Sequence, residues 1–214
     1  MKIGIISMGS HEEDHGPALP LDTDVRIAEY IAKKVSERTG VEYLETMKSS
    51  HEFLDIEHGN HQTIQEVKEE LLEISKKYED LGYRAILIIN AHGGNIVIEN
   101  HLSEVEKETG VNLEMDSTIC EIEGPHAGSG EASIGAVIGI TDEDKIEEQA
   151  NVEKYPEVGF AGFEHLREEY DWVEQHAQEI IENGVEIDEE KGKELLNKAI
   201  KSGVERICEM KNEN

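Results

Sequence analysis

Apolar residues in this sequence form short continuous runs that alternate with longer segments of helical spacing. The run at residues 85–90, AILIIN, is the clearest, and its length and apolar character predict a buried central strand. A similar run at residues 3–8 closes on Gly9 and Ser10, as expected where a strand enters a turn. The sequence predicts strands at residues 3–8, 41–47, 85–90, 111–115 and 118–122.

The segments between these runs have the spacing of amphipathic helices. Gly40 and Gly82 follow two of these segments, where glycine commonly ends a helix. The predicted helices are residues 23–38, 62–81, 96–109, 131–140, 163–183 and 189–210. Strands that alternate with helices of this length indicate a three-layer α/β/α fold, with a mainly parallel central sheet and helices on both faces.

No internal repeat, low-complexity linker or composition break divides the 214 residues, so we expect one domain over residues 1–214. Cys120 and Cys208 lie far apart and match no CxxC pattern, which favours two reduced thiols over a disulfide. The N-terminus has no basic segment followed by an apolar one, and no apolar run is long enough to span a membrane. The expected location is the cytoplasm.

The charge of the chain limits its partners. Lys and Arg total 20 against 49 Asp and Glu, which gives a formal net charge of −29. Nucleic acids and anionic membranes are therefore unfavourable partners, because both would repel the chain at long range. An anionic small molecule stays open as a substrate, since bound divalent cations can invert the local field.

Three loops that follow predicted strands are rich in chemically active residues: residues 9–24, 90–95 and 124–133. Ligands bind beyond the carboxyl ends of the strands in sheets of this kind, so these loops are expected to converge. The first loop carries two histidines and five acids, His11, Glu12, Glu13, Asp14, His15, Asp22 and Asp24. Imidazole together with carboxylate suits zinc, iron(II) or manganese, and the simpler alternative is an acidic turn that caps a helix.

The other two loops add His92, His126 and Glu131. Each has a simpler interpretation as well, because a histidine can be satisfied within a tight turn and a glutamate can begin a helix. The sequence contains no GxSxG, P-loop or GxGxxG motif, and neither cysteine lies in an activating context. Metal-assisted hydrolysis is the chemistry that these patterns favour.

At these loops the chain resembles the creatininase family, on the stretches EDHGPALPLDTD, NAHGGN and HAGSGEAS, followed by GVEIDEEKGKELLNKA near the C-terminus. The resemblance implies a creatininase-like amidohydrolase with one or two divalent metals per chain, Fe²⁺ first, with Mn²⁺ or Zn²⁺ as alternatives. It implies metal ligands at Glu13, His15, Asp24 and His92, with Asp24 bridging two metals or orienting the nucleophile. Glu12 is an alternative to Glu13. Glu131 is implied as a metal ligand or a catalytic acid/base.

The chain also departs from creatininase itself, which has a glutamate where Gly94 stands here. The compact length and the segment MGSHEEDHGPALPLDTD are most similar to family members that hydrolyse the formamide of a phosphorylated pyrimidine. Hydrolysis of a cyclic amide is the alternative, and a non-enzymatic acidic metal-binding protein is a more distant one. Candidates for binding this small-molecule substrate and its phosphate are His126, Lys48, His58 and His61. A homo-oligomer is expected by the same resemblance.

Overall fold

A computed structural model describes residues 1–212, which contain one four-stranded sheet. The strands are β1 (Ile3–Met8), β2 (Glu42–Thr46), β3 (Ala85–Asn90) and β4 (Asn112–Asp116). They lie in the order β2-β1-β3-β4, and all neighbouring pairs are parallel. The predicted parallel sheet is confirmed, and β3, apolar along its length, lies inside it.

The helices are α1 (Thr23–Thr39), α2 (Ile64–Asp80), α3 (Leu102–Thr109), α4 (Thr118–Ile122), α5 (Ser129–Ile138), α6 (Ile146–Gln149), α7 (Glu164–Glu169), α8 (Asp171–Asn183) and α9 (Glu189–Asn212). Three 3₁₀ helices cover Gly93–His101, Glu143–Lys145 and Val158–Phe160 within residues 1–212. No helix in this range is long and apolar enough to cross a membrane.

Successive side chains of the central strands point to opposite faces of the sheet, and each face has its own apolar core. Leu87 and Ile89 pack with apolar residues of α1 and α9. Ile86 and Ile88 pack on the other face with residues of α2 and α3. The predicted three layers are therefore present, and the loops at the carboxyl ends of β1 and β3 leave the sheet at the same edge.

Two helix ends show how local sequence sets these boundaries. At the start of α2, the Thr63 hydroxyl accepts from the Glu66 N–H, and the Glu66 carboxylate accepts from the Thr63 N–H at 2.9 Å. This capping box begins the helix near the predicted position. At the end of α1, Gly40 adopts a left-handed conformation with φ of 69°, which a residue with a β-carbon rarely takes.

Three predicted elements differ from the structure. Residues 96–109, predicted as one helix, form the end of the 3₁₀ helix Gly93–His101 followed by α3. Residues 118–122 form the short helix α4 instead of a strand, because the Asp116 carboxylate accepts from the Thr118 N–H at 3.0 Å and turns the chain where β4 ends. Residues 163–183 form two helices, because the backbone is extended at Tyr170 between α7 and α8. The break lets Leu166 and Val173 pack in one apolar cluster with Leu54.

Candidate metal centre

Five residues predicted from three separate loops lie together and buried at the carboxyl edge of the sheet. Glu13 and His15 follow β1, Asp24 is in the first turn of α1, His92 follows β3, and Glu131 is in the first turn of α5. Each is at most 4% exposed. The structure therefore brings together the four residues that the family resemblance implies as metal ligands and Glu131, which it implies as a metal ligand or a catalytic acid/base.

A glycine allows Asp24 to reach this position. A β-carbon at Gly9 would lie 2.6 Å from the backbone of Asp24 and Val25. The end of β1 thus packs directly on the start of α1, which holds the Asp24 carboxylate beside the residues that follow the strand.

The two ring nitrogens of His15 have different neighbours: a backbone carbonyl for one and side-chain carboxylates for the other. Nδ1 lies 2.9 Å from the Glu13 backbone carbonyl, to which it donates. Nε2 lies 2.9 Å from Asp24 Oδ1 and 3.5 Å from Glu131 Oε2. Because Nδ1 is held by the carbonyl, Nε2 is the nitrogen that faces the two carboxylate oxygens.

His92 repeats this arrangement from another loop. Its Nε2 lies 3.0 Å from the His51 backbone carbonyl, and its Nδ1 lies 2.9 Å from Asp24 Oδ2 and 3.0 Å from Glu13 Oε2. Asp24 thus places one carboxylate oxygen at each imidazole.

The protonation of these groups follows from their burial and charge. Burial acts to lower the pKa of His15 and of His92, but the neighbouring carboxylates raise both pKa values well above normal. Burial acts to raise the pKa of Glu13, and the charge of His92 with hydrogen bonds from His58 and His61 holds that pKa well below its usual range. Without a metal, protons on the imidazoles balance the carboxylates.

These residues fit a divalent cation. Backbone carbonyls fix one nitrogen of His15 and of His92, so the other nitrogen of each ring faces one oxygen of Asp24, as in metal sites with an outer hydrogen-bonded shell. The buried oxygens Glu13 Oε2 and Glu131 Oε2 make no hydrogen bond of good geometry within residues 1–212, and a histidine nitrogen lies 3.0 Å from the first and 3.5 Å from the second. Four sets of side chains in that range bring ligand atoms within 4.8 Å of one another: Glu13–His15–His126, Glu13–His58–His61, Glu13–Glu52–His92 and His15–Asp24–Glu131.

His58 and His61, predicted as substrate-binding candidates, contact Glu13. His58 Nε2 lies 2.9 Å from Glu13 Oε1, and His61 Nε2 lies 3.6 Å from Glu13 Oε2. The segment reaches Glu13 because Gly59 pairs with it in a β-bridge, where a β-carbon on the glycine would lie 2.5 Å from the Glu12 carbonyl. The Glu12 side chain points elsewhere and accepts from Asn60.

The third loop and the start of α5 supply His126 and Glu131. His126 Nδ1 lies 3.7 Å from Glu13 Oε1, and Glu131 Oε2 lies 3.5 Å from His15 Nε2. Burial and the charge of His15 lower the pKa of His126 to about 3, so this ring is neutral and able to act as a ligand. Burial raises the pKa of Glu131 to about 8; Asp24 and Glu13 add to the rise and His15 opposes it. Glu131 Oε1 accepts from the Ala127 N–H at 3.2 Å.

Lys48, the predicted phosphate contact, is exposed on the segment after β2. Its backbone N–H donates to Glu70 at 2.8 Å, and it does not line the cavity beside the candidate metal centre.

A cleft of about 520 Å³, part of it open to solvent, lies beside the centre. Glu13, Asp24, His92 and Glu131 form part of its lining. The remainder includes residues that the sequence did not single out: Glu52, Phe53, Cys120, Glu123, Phe160 and Trp172. Glu123 could have been predicted as a site residue, because it is an acid directly before Gly124, the first residue of the third loop. The aromatic residues could not, because they come from segments without any motif.

One buried amide joins two of the site loops. Gln149 at the end of α6 donates through Nε2 to the carbonyls of His15 at 2.7 Å and Ala127 at 2.9 Å. Its Oε1 accepts from the Ala18 N–H at 2.9 Å. The loop after β1 and the loop before α5 are therefore held in fixed relation.

This parallel sheet, with imidazole and carboxylate groups collected at its strand ends beside a cavity, defines an α/β protein with a candidate divalent-metal centre. The family profile described as "Creatininase: Creatinine amidohydrolase" matches residues 1–207. The chain belongs to the creatininase family.

Relatives and solved structures agree with this membership. The chain is 42% identical over 202 residues to the 2-amino-5-formylamino-6-ribosylaminopyrimidin-4(3H)-one 5′-monophosphate deformylase of Methanobrevibacter ruminantium, covering 94% of this chain and 86% of the relative. The same enzyme of Methanobrevibacter smithii is 42% identical over 206 residues, covering 95% and 89%. A solved creatininase mutant of "Zn-Zn type" superposes with a TM-score of 0.72 at 13% identity, covering 97% of this chain and 90% of the other, which confirms the creatininase-like fold.

Proposed function

We propose that this chain is a metal-dependent deformylase that hydrolyses the formamide of 2-amino-5-formylamino-6-ribosylaminopyrimidin-4(3H)-one 5′-monophosphate. Support comes from the deformylases that are 42% identical to it over most of both chains. The observation that carries the chemistry is the mirrored pair His15 and His92, each aimed at an oxygen of Asp24 beside the cavity. The reaction is the hydrolysis of a linear amide, which yields formate and an aromatic amine.

The proposed ligands are Glu13, His15, Asp24 and His92, with Asp24 shared between the two imidazoles. The donor set suits Fe²⁺, Mn²⁺ or Zn²⁺, and we propose Fe²⁺ as the physiological ion. When bound, a divalent metal supplies Lewis-acid chemistry, which polarises a carbonyl oxygen and makes water a usable nucleophile near neutral pH.

Glu131 is the proposed proton donor. Water adds to the formyl carbon, the carbon–nitrogen bond breaks with its electron pair on nitrogen, and the nitrogen takes a proton from Glu131 Oε2. The proton that the added water loses as formate forms then returns to Glu131. In the metal-free protein, burial raises the pKa of Glu131 to about 8, so this carboxyl is able to hold a proton near neutral pH. General acid catalysis of this kind contributes about 10²–10⁴-fold in rate.

The wall of the cavity suits a flat heteroaromatic ring. Phe160 and Trp172 meet edge to face with centroids 6.1 Å apart, and Phe53 lies 6.3 Å from Trp172. Phe53 and Trp172 are 47% and 37% exposed, so they can cover a ligand that enters the cavity. Aromatic faces of this kind stack on nucleobase rings.

The test is anaerobic incubation of the pure protein with Fe²⁺ or Mn²⁺ and the formylamino nucleotide, followed by assay of formate and the diaminopyrimidine product. Asp24→Asn and His92→Ala are expected to lower kcat/KM by more than about 100-fold and to reduce the metal content. Asp14→Asn is the matched control, because Asp14 belongs to the same loop but is exposed.

The outcomes separate the parts of the proposal. Full activity and full metal content in Asp24→Asn would exclude the proposed centre. A wild-type protein that binds one or two metals tightly but releases no formate would retain the centre and exclude the substrate. Cyclic amides would then be the next compounds to assay.

A further inference from the structure

One carboxyl group of the cavity wall lies outside the proposed metal centre. Glu123 lines the same cavity as Glu13, Asp24 and His92. It belongs to none of the four sets of candidate ligand atoms found within residues 1–212. Glu123 is therefore placed to contact a ligand of the cavity without holding the metal.

The Glu123 carboxyl is buried and unpaired. The residue is 8% exposed, and Oε2 has no hydrogen-bond partner in the described part of the chain. Such an atom destabilises the fold, and structures contain few of them. By contrast Glu52, another carboxylate of the cavity wall, already accepts from the Leu54 N–H at 2.8 Å.

The backbone of Glu123 is fixed at both ends. Its N–H donates to the Ile119 carbonyl at 3.0 Å and closes α4. Its own carbonyl lies against Gly130, where a β-carbon would be 1.7 Å away. Since Gly130 precedes Glu131 in α5, the position of Glu123 is tied to the helix that carries the proposed proton donor.

The surroundings of Glu123 indicate what kind of group it would meet. Burial raises its pKa well above normal, with Glu131 and Asp24 adding to the rise and His15 and His92 opposing it. In either protonation state a carboxyl group retains an oxygen that accepts a hydrogen bond. A donor on the ligand can therefore form a hydrogen bond with Glu123 in both protonation states.

The ring of the proposed substrate carries such donors. Its 2-amino group and the N–H at position 3 lie side by side on the edge of a flat ring. A ring that stacks on the aromatic side chains of the cavity, with its formamide at the metal centre, needs an acceptor on the cavity wall for its exocyclic amine.

We infer that Glu123 is a specificity-determining residue, whose carboxyl accepts a hydrogen bond from the 2-amino group of the pyrimidine. This inference rests on the proposed function, because it names the part of the same substrate that the cavity wall recognises. A site built to bind an N–H group discriminates against the analogue that lacks it, since its buried acceptor is then left unpaired.

The experiment compares kcat/KM for the formylamino nucleotide and for its analogue with hydrogen at carbon 2. Wild type is expected to prefer the 2-amino compound by about 10- to 100-fold, the effect of one hydrogen bond to an acidic group. Glu123→Met, which keeps the length but removes the acceptor, is expected to bring this ratio near one, mainly through KM. Glu123→Gln keeps one acceptor oxygen and part of the preference. Glu121→Gln, an exposed neighbour, is expected to match wild type.

Two further readouts separate recognition from a structural role. Glu123→Met is expected to keep full metal content and an equal or higher Tm, because it removes an unpaired buried carboxyl. Equal losses on both nucleotides, or a loss of metal, would overturn the inference.

Calorimetric binding of the 2,5-diamino product and its 2-hydrogen analogue tests Glu123 without turnover. If wild type released no formate, the proposed function would fail, and this binding comparison would still decide the role of Glu123. A preference for the 2-amino ligand that Glu123→Met removes supports the inference, and no preference in wild type contradicts it.

Discussion

At the scale of single residues, the backbone decides which nitrogen of each central histidine is available. His15 uses Nδ1 and His92 uses Nε2 to donate to a carbonyl, so the two rings present different nitrogens to the same carboxylate, Asp24. An exchange of either histidine for another ligand type would lose this outer hydrogen bond as well as the ligand atom.

Glu131 allows a pH-dependent test in the metal-free protein. Its folded pKa of about 8 lies above its ordinary value of 4.5, so its proton stabilises the fold fully below pH 4.5. That contribution is lost as the pH rises toward 8. In EDTA, the free energy of unfolding of Glu131→Gln is therefore expected to rise relative to wild type between pH 5 and 8. Urea unfolding at several pH values measures the difference, and a constant difference would contradict the raised pKa.

At the scale of elements, α9 packs closely on α5, the helix that carries Glu131. A β-carbon at Gly192 would lie 2.4 Å from the Ser133 backbone carbonyl, two residues after Glu131. Because the obstacle is backbone, it cannot move aside as a flexible side chain would.

Gly192→Ala is consequently expected to destabilise the protein. The overpacking costs about 1–3 kcal/mol, and the better helix propensity of alanine offsets up to about 1 kcal/mol of that. Thermal unfolding should show a Tm lower by a few degrees, with Lys191→Ala, exposed one residue earlier, close to wild type. A higher Tm in Gly192→Ala would show that α9 is free to shift.

The sequence predicted the elements and site residues that depend on a local pattern of residues. The strand at residues 85–90 has the predicted bounds, and the loops that follow β1 and β3 supply the residues expected of them. Residues 47–63 contain no strong periodicity, and besides the predicted candidates His58 and His61 they supply His51, Glu52 and Phe53, which the sequence did not indicate. Their positions depend on contacts with distant loops, such as the bridge between Glu13 and Gly59, which no local pattern reveals. The break at Tyr170 likewise depends on tertiary contacts, because it lets α7 and α8 pack on the same apolar cluster around Leu54.

At the scale of the whole molecule, a net charge of −29 on 214 residues opposes the compact state through self-repulsion. Raising NaCl from 0.1 to 1 M shortens the screening length from about 10 Å to about 3 Å. The Tm is therefore expected to rise by several degrees over this range at pH 7. The same NaCl titration at pH 4.5, where many exposed carboxylates are protonated, should show a smaller rise in Tm. A Tm that does not change with NaCl at pH 7 would show that self-repulsion contributes little to the stability of the protein.

The three hydrogen bonds of Gln149 also determine when the site can form during synthesis. His15 and Ala18 lie near the start of the chain, but the amide that fixes their loop comes more than 130 residues later. The loop that carries His15, a proposed metal ligand, can therefore be held by these hydrogen bonds only after Gln149 has left the ribosome. Binding of a metal at the proposed centre is therefore expected only after residue 149 has been synthesised.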